Sequence, residues 1–446
     1  MGIIRLRSTN PKFGFVIFKN PSTGLLVKEN KVGHMFGYYP LVKSEEGAVN
    51  ESEYVVYFRD GFNRVSYQTT PDSSFDYINV LQYASPRILL DTNRQFFRST
   101  LNKAQPDDED SVYENSVVSE FCKIDFNVKR LHHFPLYFTD VQFDFHHLKG
   151  QVYRVSLTTT RSLHYLLNLA DILFMYITLM NSDYYERHES QTEALIKSMN
   201  IIGADYYIRY LVKNRMITSP TVFEKFKPLL EQSQGTESVQ MCYGNTQTQR
   251  LQHLQGLLSF SRCIVDIGCG EGSYAVPYSR KLKKVDKTYY AMDVDADPLA
   301  TLNRKVKDKG LENVKTFGSL EELLKGYGGE ECDLIITEVV EHMDREPGQQ
   351  LLREILNKFN WKSAIITTPN REFNQYYIGL EGFRHNDHKW EATRVEFREY
   401  MEKVLINVAP TIKDESHSHH LSTEYLDIGD RVNRIPITQG CLIVRN

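Results

Sequence analysis

Apolar and polar positions change rhythm near the middle of the chain. Before about residue 160, short apolar runs end in turn residues: Phe13-Gly-Phe-Val-Ile-Phe18 runs into Lys19-Asn20-Pro21-Ser22, and Tyr54-Val-Val-Tyr-Phe58 runs into Asp60-Gly61. That pattern predicts strands closed by turns, with a further strand over 151–158. Gln105-Pro-Asp-Asp-Glu-Asp110 reads as a solvated acidic loop. Residues 163–180 form a long apolar segment with Asn168 and Asp171 inside it. Those two polar residues favour a buried core helix, because a membrane span needs ~20 almost uninterrupted apolar residues. Tyr-rich helices are expected over 204–215 and 220–230, and the polar, turn-rich stretch 231–248 reads as a linker. No internal repeat is visible.

Beyond the linker, apolar runs alternate with helical segments. Cys263-Ile-Val-Asp266 and Tyr289-Tyr-Ala-Met-Asp293 both end in a carboxylate, and Cys332-Asp-Leu-Ile-Ile-Thr337 and Ser363-Ala-Ile-Ile-Thr-Thr368 follow. Such alternation implies a mostly parallel sheet covered on both faces. Thr393 and Glu396 form a capping box for a helix over 394–404, and apolar runs at 426–428 and 440–444 read as a closing hairpin. The expected organisation is an α+β N-terminal region over 1–240, strand-rich to about 160 and helical after. A Rossmann-like α/β domain follows over 241–446.

Composition narrows the partners without naming them. The 446 residues are 41% hydrophobic and 25% charged with a net charge of -4, so nucleic acid would have to meet a local patch rather than a bulk basic field. Six cysteines at 122, 242, 263, 269, 332 and 441 show no zinc-site spacing. A reduced cytoplasmic protein fits them best. Met1-Gly-Ile-Ile-Arg5 has no signal-peptide pattern, and no membrane partner is expected.

Candidate chemistry lies in the second half. Val265-Asp266-Ile-Gly268-Cys-Gly270-Glu-Gly-Ser273 places a glycine-rich turn between strand and helix, where a parallel sheet binds ligands beyond its C-terminal strand ends. Asp293, about 27 residues on, is placed to accept both hydroxyls of a ribose. A dinucleotide loop usually reads Gly-x-Gly-x-x-Gly. Asp-x-Gly-x-Gly-x-Gly instead favours S-adenosylmethionine, which needs a ribose clamp and no phosphate cradle, and hence a class I methyltransferase domain. Ser319, after Phe317-Gly318, falls where the next strand should end and is a candidate near the adenine.

Glu338-Val-Val-Glu341-His342 follows a strand end directly, and its ligands at i, i+3 and i+4 would share one face of a helix. His388 arrives from about 46 residues downstream, within Arg384-His385-Asn-Asp-His388. Two carboxylates and two imidazoles suit Mg²⁺, Mn²⁺ or another six-coordinate ion better than zinc. An exposed helix face explains Glu-x-x-Glu-His taken alone; its place after a strand favours the metal.

Together, Val265–Ser273, Ala291-Met-Asp293, Phe317-Gly-Ser319, Glu338–Met343, Thr367-Thr-Pro-Asn370, Glu372-Phe-Asn374 and Phe383–His388 resemble the Hua-enhancer family. These are small-RNA 2′-O-methyltransferases that act on 3′-terminal nucleotides, and the resemblance covers nearly all of 245–446. It implies Glu338, Glu341, His342 and His388 as metal ligands and Asp266, Gly268, Gly270, Ser273, Asp293 and Ser319 as the cofactor site. It also implies His385 beside the metal as a supporting or proton-accepting group. Where the family continues Asp-His-Lys/Arg-Phe-Glu-Trp-Thr-Arg, this chain reads Asp387-His-Lys-Trp390-Glu391-Ala392-Thr393-Arg394. That departure bears on local packing or nucleotide stacking and leaves the ligand set intact.

The N-terminal half is similar, more loosely, to a region of bacterial members, through Ser8-Thr-Asn10, Phe18-Lys-Asn-Pro21, Tyr83-Ala-Ser85, Tyr153–Leu157, Leu166-Leu-Asn168 and 177–185. That similarity implies a hetero-oligomer through residues 1–240 with a polynucleotide kinase-phosphatase-ligase, whose ligase it activates during RNA repair. The RNA 3′ end would be the substrate. Two alternatives stand beside this reading: an interaction subunit whose main role is ligase activation, and an enzyme acting on a small vicinal diol or catechol. His417-Ser-His419-His420 reads as a solvent-exposed loop rather than a second metal site.

Overall fold

The structure, a computed structural model, describes residues 2–29, 33–40, 52–59, 83–181, 188–232, 237–406, 408 and 421–446. The His417–His420 segment lies outside them. The chain divides into two compact units, Met1–Thr236 and Glu237–Asn446.

In the first unit, strands β1 (Gly2–Ser8), β2 (Leu26–Glu29), β3 (His34–Tyr38), β4 (Ser52–Arg59), β5 (Asn115–Lys123), β6 (Val141–Lys149) and β7 (Val152–Thr159) form one sheet. Its order is β2-β3-β4-β1-β5-β7-β6, with every described pairing antiparallel. Helix Leu163–Met180 packs beside helices Pro86–Phe96, Arg98–Asn102 and Glu189–Ile201. It is long and apolar enough to cross a membrane, yet 89% of it is buried inside the unit. Its polar residues explain how that burial is tolerated. Asn168 donates to the carbonyls of His164 (2.7 Å) and Leu101 (3.2 Å), and Asp171 accepts a forked pair from Arg94 at 2.8–3.1 Å. Helices Tyr206–Met216 and Pro220–Leu230 complete the helical part.

Two N-terminal expectations are corrected. Residues 13–18 do not form a strand: Phe13–Val16 is a single helical turn. The Asn10 side chain accepts from the Lys12 N–H (2.8 Å), which starts the turn, and the buried residues Phe13, Val16 and Ile17 follow helical spacing. Nor is the acidic stretch at 105–110 simply solvated. Asp108 is buried, and its two oxygens accept from the N–H groups of Leu163 (2.8 Å) and His164 (3.0 Å), capping the core helix.

Among its described residues the second unit holds eight strands: β8 (Val239–Gln240), β9 (Cys263–Ile267), β10 (Tyr289–Met292), β11 (Val314–Phe317), β12 (Cys332–Thr337), β13 (Trp361–Pro369), β14 (Leu421–Val432) and β15 (Ile435–Arg445). Their order is β11-β10-β9-β12-β13-β15-β14-β8; the first five run parallel and the rest antiparallel. Alternation along each strand feeds two cores. Val265, Ile267, Leu334 and Ile336 face one layer with Leu352, Trp361 and Phe397, while Ile264, Ile335 and Ile365 face the other with Tyr278, Leu282 and Leu302. The order reverses between β10-β9 and β12-β13, so the crevice of this open sheet opens beyond the C-terminal ends of β9 and β12.

The second half of the expected linker belongs to this unit. β8 pairs with the edge of β14, Cys242 N–H donates to Asp430 (2.7 Å), and Asn245 caps helix Thr246–Leu257. Its polar residues serve those bonds, which is why the stretch reads as unstructured by composition.

Candidate functional site

The glycine loop is built by main-chain bonds at the end of β9. Gly268 and Cys269 N–H groups both donate to the carbonyl of Met292 (2.8 and 3.0 Å), tying the loop to the end of β10. Gly268 has φ +74°, and a Cβ there would stand 2.4 Å from Val339 Cγ2, so only glycine lets this backbone approach the segment after β12. Gly270, with φ +50°, has nothing within 4 Å of such a Cβ and faces open space. Its N–H donates to Asp293 Oδ2 (2.6 Å), and Asp295 N–H donates to Oδ1 (2.9 Å). Asp293 is thus fixed at the loop's rim, with acceptor capacity left on both oxygens.

The other predicted cofactor residues occupy three different settings. Asp266 is fully buried within β9: Oδ2 accepts from the Tyr289 hydroxyl (2.6 Å), and Oδ1 is buried with no hydrogen-bond partner among the described residues. Burial raises this carboxyl to about 7, against the lowering effect of the Tyr289 bond. Ser273 accepts from Gln247 (2.5 Å), and helix Ala275–Lys283 begins just after it. Ser319 caps helix Leu320–Gly326 by accepting from the Glu322 N–H (3.2 Å), so its hydroxyl already has a structural task.

Across the crevice, Glu341, His342 and His388 place one ligand atom each within 4.8 Å of one another. The route to this cluster differs from the expected helix face. Glu338 stands at φ +55°, its N–H donating to the Thr367 carbonyl (3.0 Å), and only Val340–His342 form a single 3₁₀ turn. The strand's last hydrogen bond to β13 fixes Glu338 before any helix can start. Glu338 is outside the tight trio; Arg250 lies 3.0 Å from its Oε2 and Thr367 Oγ1 donates to its Oε1 (3.1 Å).

Loop 385–390 is bonded onto that turn. Lys389 N–H donates to the Glu341 carbonyl (2.7 Å), and Trp390 Nε1 donates to the Val340 carbonyl (2.9 Å). Trp390 and Ala392 are both buried, so the residues that depart from the family pattern fill the core beneath the site rather than present a stacking surface. The His342 and His388 rings meet edge to face with centroids 4.8 Å apart, and the exposed His385 ring lies 5.3 Å from His388.

The electrostatics suit a cation. Glu341 is almost fully buried; Oε2 accepts from Thr368 (3.0 Å), while Oε1 has no partner among the described residues. Burial first, then the nearby Glu338 charge, hold its carboxyl well above the ordinary range. Partial burial lowers His342, toward the neutral form in which imidazole binds metal, although Asp387 works the other way. Burial alone would lower Arg250, but Glu338 and Tyr274 hold it above its usual value. An orphaned buried carboxylate oxygen beside two imidazoles fits a hard divalent ion.

Sequence reasoning missed Arg250, which sits on a polar helix with no local signal, and the roles of Thr367, Thr368 and Glu391. The last three lie inside the quoted motifs, so their signal was position at strand ends and beside ligands.

Comparison with known proteins places this geometry. The Hen1 N-terminal domain matches residues 3–235, and a methyltransferase domain matches residues 264–359. A small RNA 2′-O-methyltransferase of Caenorhabditis elegans is 30% identical over 166 residues, and one of Arabidopsis thaliana 26% identical over 202. These alignments cover 33% and 40% of this chain and only 37% and 20% of the relatives' own lengths. A chain from a structure of the Pnkp1/Rnl/Hen1 RNA repair complex shares the fold over 99% of this chain and 100% of its own, with TM-score 0.78 and 22% identity. With more than half its length matched by the Hen1 N-terminal domain, and a methyltransferase domain behind it, the chain belongs to the Hen1 family.

Proposed function

We propose that this protein is a metal-dependent, S-adenosylmethionine-dependent methyltransferase that modifies the 2′-hydroxyl of the 3′-terminal ribose of RNA during repair. The observation that carries the reading is the gathering of Glu341, His342 and His388 beside the glycine loop, with Glu341 Oε1 buried and unpartnered. Glu338, Glu341, His342 and His388 would hold Mg²⁺ or Mn²⁺, which when bound supplies the Lewis acidity that makes a hydroxyl ionise near neutral pH. Arg250 holds the Glu338 carboxylate and offsets its charge. Thr368 orients Glu341. His385, whose exposed ring lies 5.3 Å from that of His388, would take the hydroxyl proton to solvent. Asp293 at the loop rim would clamp the cofactor's ribose, Gly270 would let it approach the backbone, and the free Oδ1 of Asp266 offers an acceptor.

Residues 1–240 would form the contact with a polynucleotide kinase-phosphatase-ligase in a cytoplasmic hetero-oligomer, a reading supported by the whole-chain likeness to a subunit of such a complex. The burial of Trp390 and Ala392 speaks against an interaction subunit with a degraded catalytic site.

The test is methyl transfer to a synthetic RNA ending in a 2′,3′-diol, with Mn²⁺ or Mg²⁺ and with chelator. Ends blocked by 2′-O-methyl or 3′-phosphate should not react, and Glu341→Ala should abolish transfer while ligase stimulation survives. No transfer to any RNA by the unmutated protein, or transfer indifferent to chelator, overturns the proposal. Transfer to small catechols in place of RNA would favour the vicinal-diol alternative.

A further inference from the structure

His388 is held from behind by a chain of hydrogen bonds whose direction can be read off. Glu391 is buried, with Oε1 2.6 Å from His388 Nδ1 and 2.8 Å from the Arg384 main-chain N–H, and Oε2 2.6 Å from Asn374 Nδ2. Asn374 Oδ1 accepts from Arg384 Nε at 2.6 Å. The rest of the guanidinium donates to the carbonyls of Ile437 (2.8 Å) and Asn370 (2.5 Å).

The direction follows from the inventory of donors. A guanidinium carries donors and no acceptor, so Asn374 must turn its oxygen to Arg384 and its NH₂ to Glu391. Glu391 then meets an amide N–H at Oε2 and a main-chain N–H at Oε1, and both oxygens act as acceptors. Only a ring nitrogen that donates fits the remaining contact. His388 therefore donates through Nδ1, and in the neutral ring that leaves Nε2 with the lone pair that a metal requires.

We propose that Arg384 sets the tautomer of His388 through Asn374 and Glu391, which makes Glu391 a positioning residue for the divalent-cation centre. The inference rests on the reading of His388 as a ligand, but the tautomer itself is a property of the metal-free protein. Glu391→Gln conflicts with this pattern in either orientation. With its oxygen toward Asn374, the new NH₂ opposes the Arg384 N–H and forces His388 Nδ1 to accept, moving the ring proton to Nε2. Turned round, its NH₂ opposes that of Asn374. The double variant Asn374→Asp/Glu391→Gln exchanges carboxylate and amide, and every donor again meets an acceptor.

The experiment records imidazole ¹⁵N spectra of the metal-free full-length protein and, separately, Mn²⁺ affinity by titration, for wild type, the single variant and the double variant. Expected are an Nδ1–H His388 in wild type and, in Glu391→Gln, a mixture of Nδ1–H and Nε2–H rings, one for each amide orientation, with at least about tenfold weaker Mn²⁺ binding. The double variant should return to Nδ1–H and to within about threefold of wild-type affinity. A general loss of packing would not be mended by a second substitution, so this recovery separates positioning from structure. The proposal is overturned if wild-type His388 carries its proton on Nε2, if Glu391→Gln holds Nδ1–H and Mn²⁺ as fully as wild type, or if the double variant fares no better than the single. Should wild type bind no Mn²⁺ at all, the metal reading fails, and the tautomers still decide this inference.

Discussion

The Arg250 guanidinium lies 3.0 Å from the Glu338 carboxylate, joining a polar helix outside the sheet to the C-terminal end of β12. Both side chains are mostly buried, and Glu338 in turn raises the Glu341 carboxyl. Removing Arg250 leaves the mostly buried Glu338 carboxylate without its counter-ion, beside a second carboxyl. Arg250→Met should therefore destabilise the metal-free methyltransferase unit by about 2–3 kcal/mol, below the cost of breaking a fully buried pair because some exposure remains. Added Mn²⁺ should restore the variant's denaturation midpoint by more than it raises that of wild type. An equal response in both proteins would mean that Glu338 does not face the cation.

Two glycines of one loop should respond differently to the same change. Gly268→Ala places a Cβ against Val339, next to Glu338, so it should weaken both S-adenosylmethionine and Mn²⁺ binding by at least about tenfold, on top of a left-handed backbone cost of about 1–2 kcal/mol. Gly270→Ala carries the backbone cost but meets no neighbour. It should weaken the cofactor and leave Mn²⁺ affinity within about twofold, since ~0.4 kcal/mol is the largest change that strain alone should pass to a separate site. Calorimetric titration of each ligand distinguishes the two patterns.

What the sequence made legible was chiefly what repeats or sits in a fixed order. Apolar runs alternating with helical segments after the linker, and the carboxylates Asp266 and Asp293 closing two of those runs, indicated the parallel sheet and its ligand edge. The first half was harder because its signals were short. Phe13, Val16 and Ile17 are an apolar run whose helical period spans a single turn, too little to distinguish from a strand. Asp108 looked like one of several solvated acids, and only tertiary structure brings the Leu163 and His164 amides to it. The ligand types Glu341, His342 and His388 were visible by motif. The 3₁₀ turn that presents the first two was not, because it is imposed by a cross-strand bond from Glu338 to Thr367 rather than by local propensity. Arg250 had no neighbouring signal at all.

In the N-terminal unit, Asp171 tests why a nearly continuous apolar helix suits a protein core. Arg94 forks onto its two oxygens and Ser198 donates to Oδ2 (3.2 Å). Asp171→Ala would remove that carboxylate from a partly exposed Arg94, and a loss of about 2–3 kcal/mol is expected, below the cost of breaking a fully buried pair. Asp171→Asn should cost less, because the amide oxygen still accepts. Urea denaturation followed by far-ultraviolet circular dichroism orders the three proteins, and a variant as stable as wild type would show that the fork contributes nothing to the helix bundle.

Asp266 gives the methyltransferase unit a pH dependence whose sign is set by burial. Its folded carboxyl titrates at about 7, raised from an ordinary value of 3.8 by desolvation. Between those two values the folded state holds a proton that the unfolded chain has released, so stability contributed by the neutral acid is present below about pH 4 and lost as pH rises toward 7. The cumulative loss is on the order of a few kcal/mol. Asp266→Asn keeps the shape and an acceptor for Tyr289 but cannot ionise, so the slope of the unit's thermal midpoint between pH 5 and pH 7 should flatten, whatever the variant's absolute stability. A cofactor bearing a cationic ammonium or sulfonium near Oδ1 favours the ionised form. Binding to wild type near pH 6 should then release a proton, seen as a buffer-dependent heat in calorimetry, and binding to Asp266→Asn should lack that part of the signal. Equal slopes in the two proteins would place the ionisation elsewhere and remove Asp266 from both the stability and the cofactor argument.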